Sequence, residues 1–346
     1  MKAAVRHEYG PPEALNVEEV QTPTPADDEV LVRVHAASVN RGDWEILTGE
    51  PRYAPVLLQI FGPKPRHKVI LVNNGGASRR RRGLFKPRYK ILGTDVAGRV
   101  EAVGADVTQF RPGDEVFGDC AYFGGAFAEY VCVPEKAPLV AKPVSMTFEQ
   151  AAAMPLAASI AVEGLRNKGQ VQPGQRVLIN GAGGGVGTFA VQIAKLYGAE
   201  VTGVDGPGKR DLLRSIGCDH VIDYTQEDFA QKGQRYDVIL DIVANRPVLK
   251  CKSALTPSGI YLVVGGSWTA LWQSVLLGPF ISRTGKGRVA LLLAGPTREI
   301  LTHLTELFEA GKVVPVIDGC YPLAAAREAL RRVGNNLSEG KVIITP

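Results

Sequence analysis

The sequence predicts an α/β fold in which a compact β barrel precedes a doubly wound parallel sheet, and three observations carry that prediction. The first 145 residues read as short strands cut by Gly and Pro turns. From about Met146 the pattern changes to helices and then to alternating apolar strands and helices. Between one such strand and helix lies a run of glycines, Gly181-Ala182-Gly183-Gly184-Gly185-Val186-Gly187.

Each element has its own signal. Glu29 to Ala36 alternates apolar and polar residues, as a half-buried strand requires, and Val96–Val103, Asp114–Phe117 and Phe127–Val133 are similar. Phe148–Met154 and Ala157–Asn167 read as helices. Strands are then expected at 176–180, 200–204, 220–223, 236–243 and 259–266, with helices at about 185–197, 209–216 and 247–255. Their apolar runs suit a sheet covered on both faces. The tail adds a helix at 297–310, a strand from Lys312 to Ile317, a helix from Ala324 to Val333 and a strand from Lys341 to Thr345. The expected domains are 1–143, 144–295 and a return to the first domain at 296–346.

Composition narrows the class of protein. The chain has 346 residues, 45% hydrophobic and 22% charged, enough for about two folded domains without disulfide staples. The net charge of +5 is local: residues 51–90 hold eleven Lys or Arg and no acid, which leaves 29 basic against 35 acidic residues elsewhere. A general nucleic-acid-binding surface is therefore not expected. The basic segment, an insertion at about 62–88 containing Arg79–Arg82, reads as a solvated loop, with an acidic partner, nucleic acid or membrane surface as the alternative. Five scattered cysteines without a C-x-x-C fit reduced thiols, and no signal-peptide core or spanning segment is legible, so a cytoplasmic protein is expected. The apolar stretch 267–282 reads as a pocket wall or subunit contact, with a membrane-surface contact as the alternative.

The glycine run carries the chemistry. Backbone without side chains lets a pyrophosphate approach the start of a helix, whose free N–H groups and dipole favour an anion. The spacing is G-x-x-G-x-x-G through Gly181, Gly184 and Gly187, and the next strand ends at Asp205, about where a ribose-binding acid belongs. Gly181, Gly184, Gly185, Val186, Gly187 and Asp205 are thus candidate dinucleotide contacts.

Several stretches together resemble the medium-chain dehydrogenase/reductase superfamily, in its zinc-independent quinone oxidoreductase branch: HAASVNRGDW (35–44), ILGTDVAGRVEAVG (91–104), FRPGDEVFGD (110–119), AFAEYVCVP (126–134), PLAASIAVEGL (155–165), the glycine turn, CDHVIDY (218–224), and YPLAAAREAL with the EGKVII tail (321–344). The resemblance implies a GroES-like catalytic barrel, a Rossmann cofactor domain and a homodimer. Zinc members hold a catalytic metal with Cys and His. Here Asn40 stands at the first Cys position and Thr94 at the His position, which implies no zinc.

The implied cofactor is NADP(H) or NAD(H). Asp205 favours a free ribose diol, whereas Lys209 and Tyr224 match phosphate-binding positions, with Arg210 adjacent; the two matches tip the reading to NADPH. The resemblance places the nicotinamide in an interdomain cleft, facing the 38–44 segment, near Pro155–Ala157 and near Val264, Gly265 and Gly266. Lys341 is read either as a cofactor contact or as a solvated surface lysine. Asn40 is a candidate donor to a substrate oxyanion or a brace for its loop, Asp43 a loop anchor or proton-relay member, and Tyr53 a proton donor. Trp44, Tyr53 and Tyr122 are candidate pocket walls or core aromatics. The expected activity is hydride transfer to a quinone or an α,β-unsaturated carbonyl. The alternatives are a metal-free alcohol dehydrogenase or carbonyl reductase, and a nucleotide-binding scaffold or RNA-associated protein with little turnover.

Overall fold

The computed structural model describes residues 1–49, 87, 90–120, 124–231, 233–266, 273–274 and 287–346. Tyr53, Tyr122, Arg79–Arg82 and most of 267–286 lie outside the described residues. Two compact units divide the chain: Met1–Leu156 with Pro296–Thr305 and Ile317–Pro346, and Ala157–Gly295 with Glu306–Val316. No helix among the described residues is long and apolar enough to cross a membrane.

The first unit is built on strands β1 (Lys2–Arg6), β2 (Leu15–Glu19), β3 (Glu29–Val39), β4 (Asp95–Val103), β5 (Glu115–Asp119), β6 (Tyr130–Pro134) and β7 (Leu139–Ala141). Strand β3 is the hub. It pairs antiparallel with both β4 and β6, and near its end with a C-terminal strand (Lys341–Thr345). Glycine allows the β3–β4 approach: a Cβ on Gly98 would lie 2.1 Å from the Arg33 carbonyl oxygen. The core includes Val32, Val96, Val116, Phe127, Leu139 and Ile344. The β1–β2 pair was not expected from the sequence, because each strand is only five residues long and lacks clear alternation.

The second unit carries β8 (Arg176–Asn180), β9 (Glu200–Asp205), β10 (His220–Asp223), β11 (Tyr236–Asp241), β12 (Leu255–Val263) and β13 (Arg288–Leu291), all parallel, in the order β10-β9-β8-β11-β12-β13. The strand order reverses between β8 and β11, and in doubly wound sheets ligands bind at the carboxyl ends of the strands flanking such a point. Residues of β8 after Arg176 are buried without alternation, as a sheet covered on both faces requires.

Two expected strands are corrected. The strand expected at Lys312–Ile317 does not form there: β14 spans Ile317–Pro322 and pairs parallel with β15 (Lys341–Thr345). Pro315 has no N–H for a ladder. The Gln192 carboxamide instead satisfies Val314, accepting from its N–H at 2.8 Å and donating to its carbonyl at 2.9 Å. Strand β12 runs over 255–263 rather than 259–266, so Val264, Gly265 and Gly266 follow it, with Gly266 at φ +114°.

Gly98→Ala should destabilise the protein by about 1–3 kcal/mol in urea unfolding, because backbone must move to admit the methyl group. Gly42→Ala, where a Cβ meets nothing within 4 Å, should cost nothing.

Candidate active site

The glycine turn begins where β8 ends. Gly181 adopts φ +88°, and a Cβ on Gly187 would lie 2.1 Å from the Gly181 carbonyl oxygen, so the turn closes only with glycine at 187. Gly184 differs: the nearest atom to a Cβ there is the Gly181 oxygen at 3.5 Å. The space over Gly184 is open, and it is this open backbone that fits a pyrophosphate. Gly184 is also the N-cap of the helix Gly185–Leu196 and brings no capping side chain. The N–H groups of Gly185, Val186 and Gly187 belong to its first turn, which has no intrahelical acceptors.

Asp205, Lys209 and Tyr224 come together beside this turn. The Asp205 carboxylate accepts from the N–H groups of Gly183 and Gly206, both at 2.8 Å, and lies 3.5 Å from the Lys209 ammonium. The Lys209 side chain crosses Gly183, where a Cβ would stand 2.6 Å from its Cδ. The Tyr224 ring is half exposed and packs beside Gly206. Arg210 reaches Asp223 at 3.4 Å. Two backbone donors and an ammonium thus surround the Asp205 carboxylate.

Three residues at this sheet edge were not singled out from the sequence. Gly183 lies inside the glycine run. Asn180 donates to Asp241 at 2.7 Å, across the strand-order reversal. Asp241 also accepts from Ala244 N–H at 2.7 Å and from the Tyr261 hydroxyl at 2.7 Å, which shapes the loop after β11. Burial, reinforced by the Asp241 charge, raises the Tyr261 pKa and keeps the phenol protonated as a donor. The loop then carries Val243 against Gly181. Val264 N–H donates to the Asp241 carbonyl, and Gly265 and Gly266 lie against residues 242–244, so these expected contacts do gather at the same edge.

The second cluster lies in the barrel unit. Asn40 begins the helix Arg41–Thr48, and its N–H donates to Asp43 Oδ2 at 2.8 Å. Asp43 Oδ1 accepts from Gly93 N–H at 3.0 Å. Asp43 therefore anchors the 40–43 and 93 backbones, the loop role among those expected for it. Burial pushes its carboxyl pKa up to about 6 against the opposing pull of these two bonds, with Asp95 raising it and Lys341 lowering it. Trp44 packs against Gly334, where a Cβ would meet its ring at 2.2 Å.

Asp95 is fully buried and accepts four hydrogen bonds: from Ser38 Oγ at 2.6 Å, Asn40 Nδ2 at 2.9 Å, Leu156 N–H at 3.0 Å and Lys341 Nζ at 3.4 Å. Lys341 also donates to Asn40 Oδ1 at 2.6 Å. The solvated surface position considered for Lys341 is corrected: the side chain is 2% exposed, and its ammonium is turned to Asn40 and Asp95.

A zinc ion does not fit this donor set. The residues offer a carboxylate already accepting four bonds, an amide, the Thr94 hydroxyl and an ammonium that has no lone pair and would repel a cation. The nearby Cys120, whose N–H donates to the Thr94 carbonyl, has its thiol pKa raised well above the ordinary value by burial, with Asp119 and Asp95 adding to the shift. Among the described residues no group of three or more His, Cys, Asp or Glu side chains is placed to hold a metal.

Comparison with known proteins shows the family. A family model described as an alcohol dehydrogenase GroES-like domain matches residues 26–144, and one described as a zinc-binding dehydrogenase matches residues 216–344. The chain is 32% identical over 338 residues to a chloroplastic quinone-oxidoreductase of Triphysaria versicolor, covering 95% of this chain and 93% of that protein. It is 31% identical over 362 residues to an NADPH-dependent alkenal/one oxidoreductase of Arabidopsis thaliana, covering 100% of this chain and 80% of that protein. The solved quinone oxidoreductase from Coxiella burnetii superposes with a TM-score of 0.83 at 26% identity, covering 100% of this chain and 99% of that one. The chain belongs to the medium-chain dehydrogenase/reductase superfamily, in its quinone oxidoreductase-like branch.

The raised Asp43 pKa has a defined sign. The native state takes up a proton as pH falls through about 6, whereas the unfolded chain does so near 3.8. Folding thus binds a proton between these values, so Asp43 makes the protein more stable as pH falls from 7 toward 4. The contribution is at most about 3 kcal/mol. In urea unfolding at pH 5 and 7.5, the wild type should lose more stability on the alkaline side than Asp43→Asn does.

Proposed function

We propose that this protein is a zinc-independent, NADPH-preferring oxidoreductase that reduces quinones or α,β-unsaturated carbonyls. The observation that carries this reading is the Asn40–Asp95–Lys341 cluster, in which Asn40, at the first Cys position of the zinc members, is an amide bonded to a carboxylate and an ammonium. The relatives named as a quinone-oxidoreductase and as an NADPH-dependent alkenal/one oxidoreductase support the substrate class.

A bound nicotinamide supplies a hydride to an electrophilic carbon. The first-turn N–H groups after Gly184 would hold the pyrophosphate. Lys209 and Tyr224 would hold the 2′-phosphate, and support for this comes from Asp205: its charge is already met by two N–H groups and Lys209, so it is less repulsive to a phosphate than a free carboxylate. Asn40 would act on the substrate. A carboxamide carries two N–H donors. One is given to Asp95, and the other has no acceptor among the described residues. This second N–H would donate to the substrate oxygen as negative charge develops there, the task of an oxyanion donor.

Titration of the purified protein with NADPH and NADH, followed by turnover with an enone and a quinone, tests the reading. It fails if neither nucleotide binds saturably or neither acceptor is reduced. Lys209→Ala should weaken NADPH binding by roughly tenfold or more while changing NADH binding little, because only NADPH carries the extra phosphate. Gly184→Ala should leave the urea midpoint near the wild-type value yet weaken both nucleotides by roughly tenfold, since its methyl group fills only the open space over the turn.

A further inference from the structure

Three adjacent strands bring the barrel cluster together. In the β15–β3 pairing Val342 lies opposite Val39, which sets Lys341 against Asn40, the residue following β3. In the β3–β4 pairing Ser38 lies opposite Asp95. Lys341 and Asn40 are 301 residues apart in sequence, and this register is what makes them neighbours.

The Asn40 carboxamide is held between opposite charges. Its Oδ1 faces the Lys341 ammonium at 2.6 Å, and its Nδ2 faces the Asp95 carboxylate at 2.9 Å. A flipped amide would point N–H at an ammonium and oxygen at a carboxylate, two repulsive contacts in place of two favourable ones. The ammonium thus sets which way the second N–H points. It also draws electron density toward Oδ1, which makes the amide hydrogens better donors, as hydrogen bonds in series strengthen one another. Stability alone gives little reason for such an arrangement, because a buried ion pair can often be replaced by apolar residues without loss.

We propose that Lys341 is a positioning residue for the reaction: it fixes the orientation of the Asn40 carboxamide and strengthens the N–H that meets the substrate oxygen. This rests on the assignment of Asn40 as that donor, and the test separates the two. It uses the full-length protein with NADPH and methyl vinyl ketone, and compares Lys341→Met, Asn40→Ala and the double variant. Thermal melting and NADPH affinity are measured on each, so that lost folding or cofactor binding is not mistaken for lost chemistry.

Asn40→Ala should lower kcat by roughly a hundredfold, the size of effect seen when one oxyanion donor is removed. Lys341→Met should lower kcat by roughly tenfold with the NADPH affinity unchanged, and the double variant should be no slower than Asn40→Ala alone, because a residue acting through Asn40 has nothing left to act on. Lys341→Gln, which keeps a donor to Oδ1 without the charge, should fall between wild type and Lys341→Met, and it carries the same comparison if the Met variant does not fold. If Asn40→Ala slows the reaction but the Lys341 variants keep the wild-type kcat, or if the two losses multiply in the double variant, the positioning role is overturned and the Asn40 assignment stands. If Asn40→Ala leaves kcat unchanged, the assignment falls and the positioning role falls with it.

Discussion

A single buried carboxylate organises the candidate cluster in the barrel unit. Asp95 accepts from a serine hydroxyl, an asparagine amide, a backbone N–H and a lysine ammonium. A buried carboxylate without partners would be costly, and so would the ammonium beside it. Each charge makes the other tolerable, and the neutral donors use the remaining lone pairs. Remove Asp95, and Lys341 is a buried cation with only an amide oxygen, while Asn40 loses the acceptor that holds its Nδ2. The same donor set leaves no place for a zinc ion, although the family model matching the C-terminal part of the chain is described as a zinc-binding dehydrogenase.

The glycine turn of the second unit follows a different logic, in which backbone rather than charge sets the geometry. Gly187 lets the helix start pack against Gly181, and Gly184 leaves its surface open. Asp241 fixes the neighbouring loop through backbone and side-chain donors, and that loop closes on the first glycine through Val243. Asp205, the acid expected to choose the cofactor, is tied back to Gly183 and Gly206 under the Lys209 side chain. Its chemistry is then that of a turn brace as much as that of a ribose contact.

What could be read from sequence depended on how local the cause was. The glycine turn lies between an apolar strand and a helix that adjoin it, so the run 176–205 was legible as it stands. The barrel and the parallel sheet announced themselves through texture. The Asp95 cluster did not, because Ser38, Asn40, Asp95 and Lys341 meet only through strand register. Asn40 was noticed for the cysteine it replaces, and Lys341 only as a residue with two opposed readings, neither of which was a buried partner of Asn40. The strand expected at 312–317 failed for a similar reason: Gln192, more than a hundred residues away, takes up the backbone groups of Val314. The setting of Asp205 was not legible, because an acid at a strand end looks free until Lys209, four residues on, is seen to fold back over it.

The most direct measurement is isotopic. Protein treated with a strong chelator and freed of metal is mixed with NADPH deuterated at the nicotinamide C4 and with an enone, and the product is examined for label. The account predicts deuterium on the carbon β to the carbonyl, arriving at the same rate before and after chelation. Absence of label in the product, or transfer that returns only when zinc is added back, would contradict it.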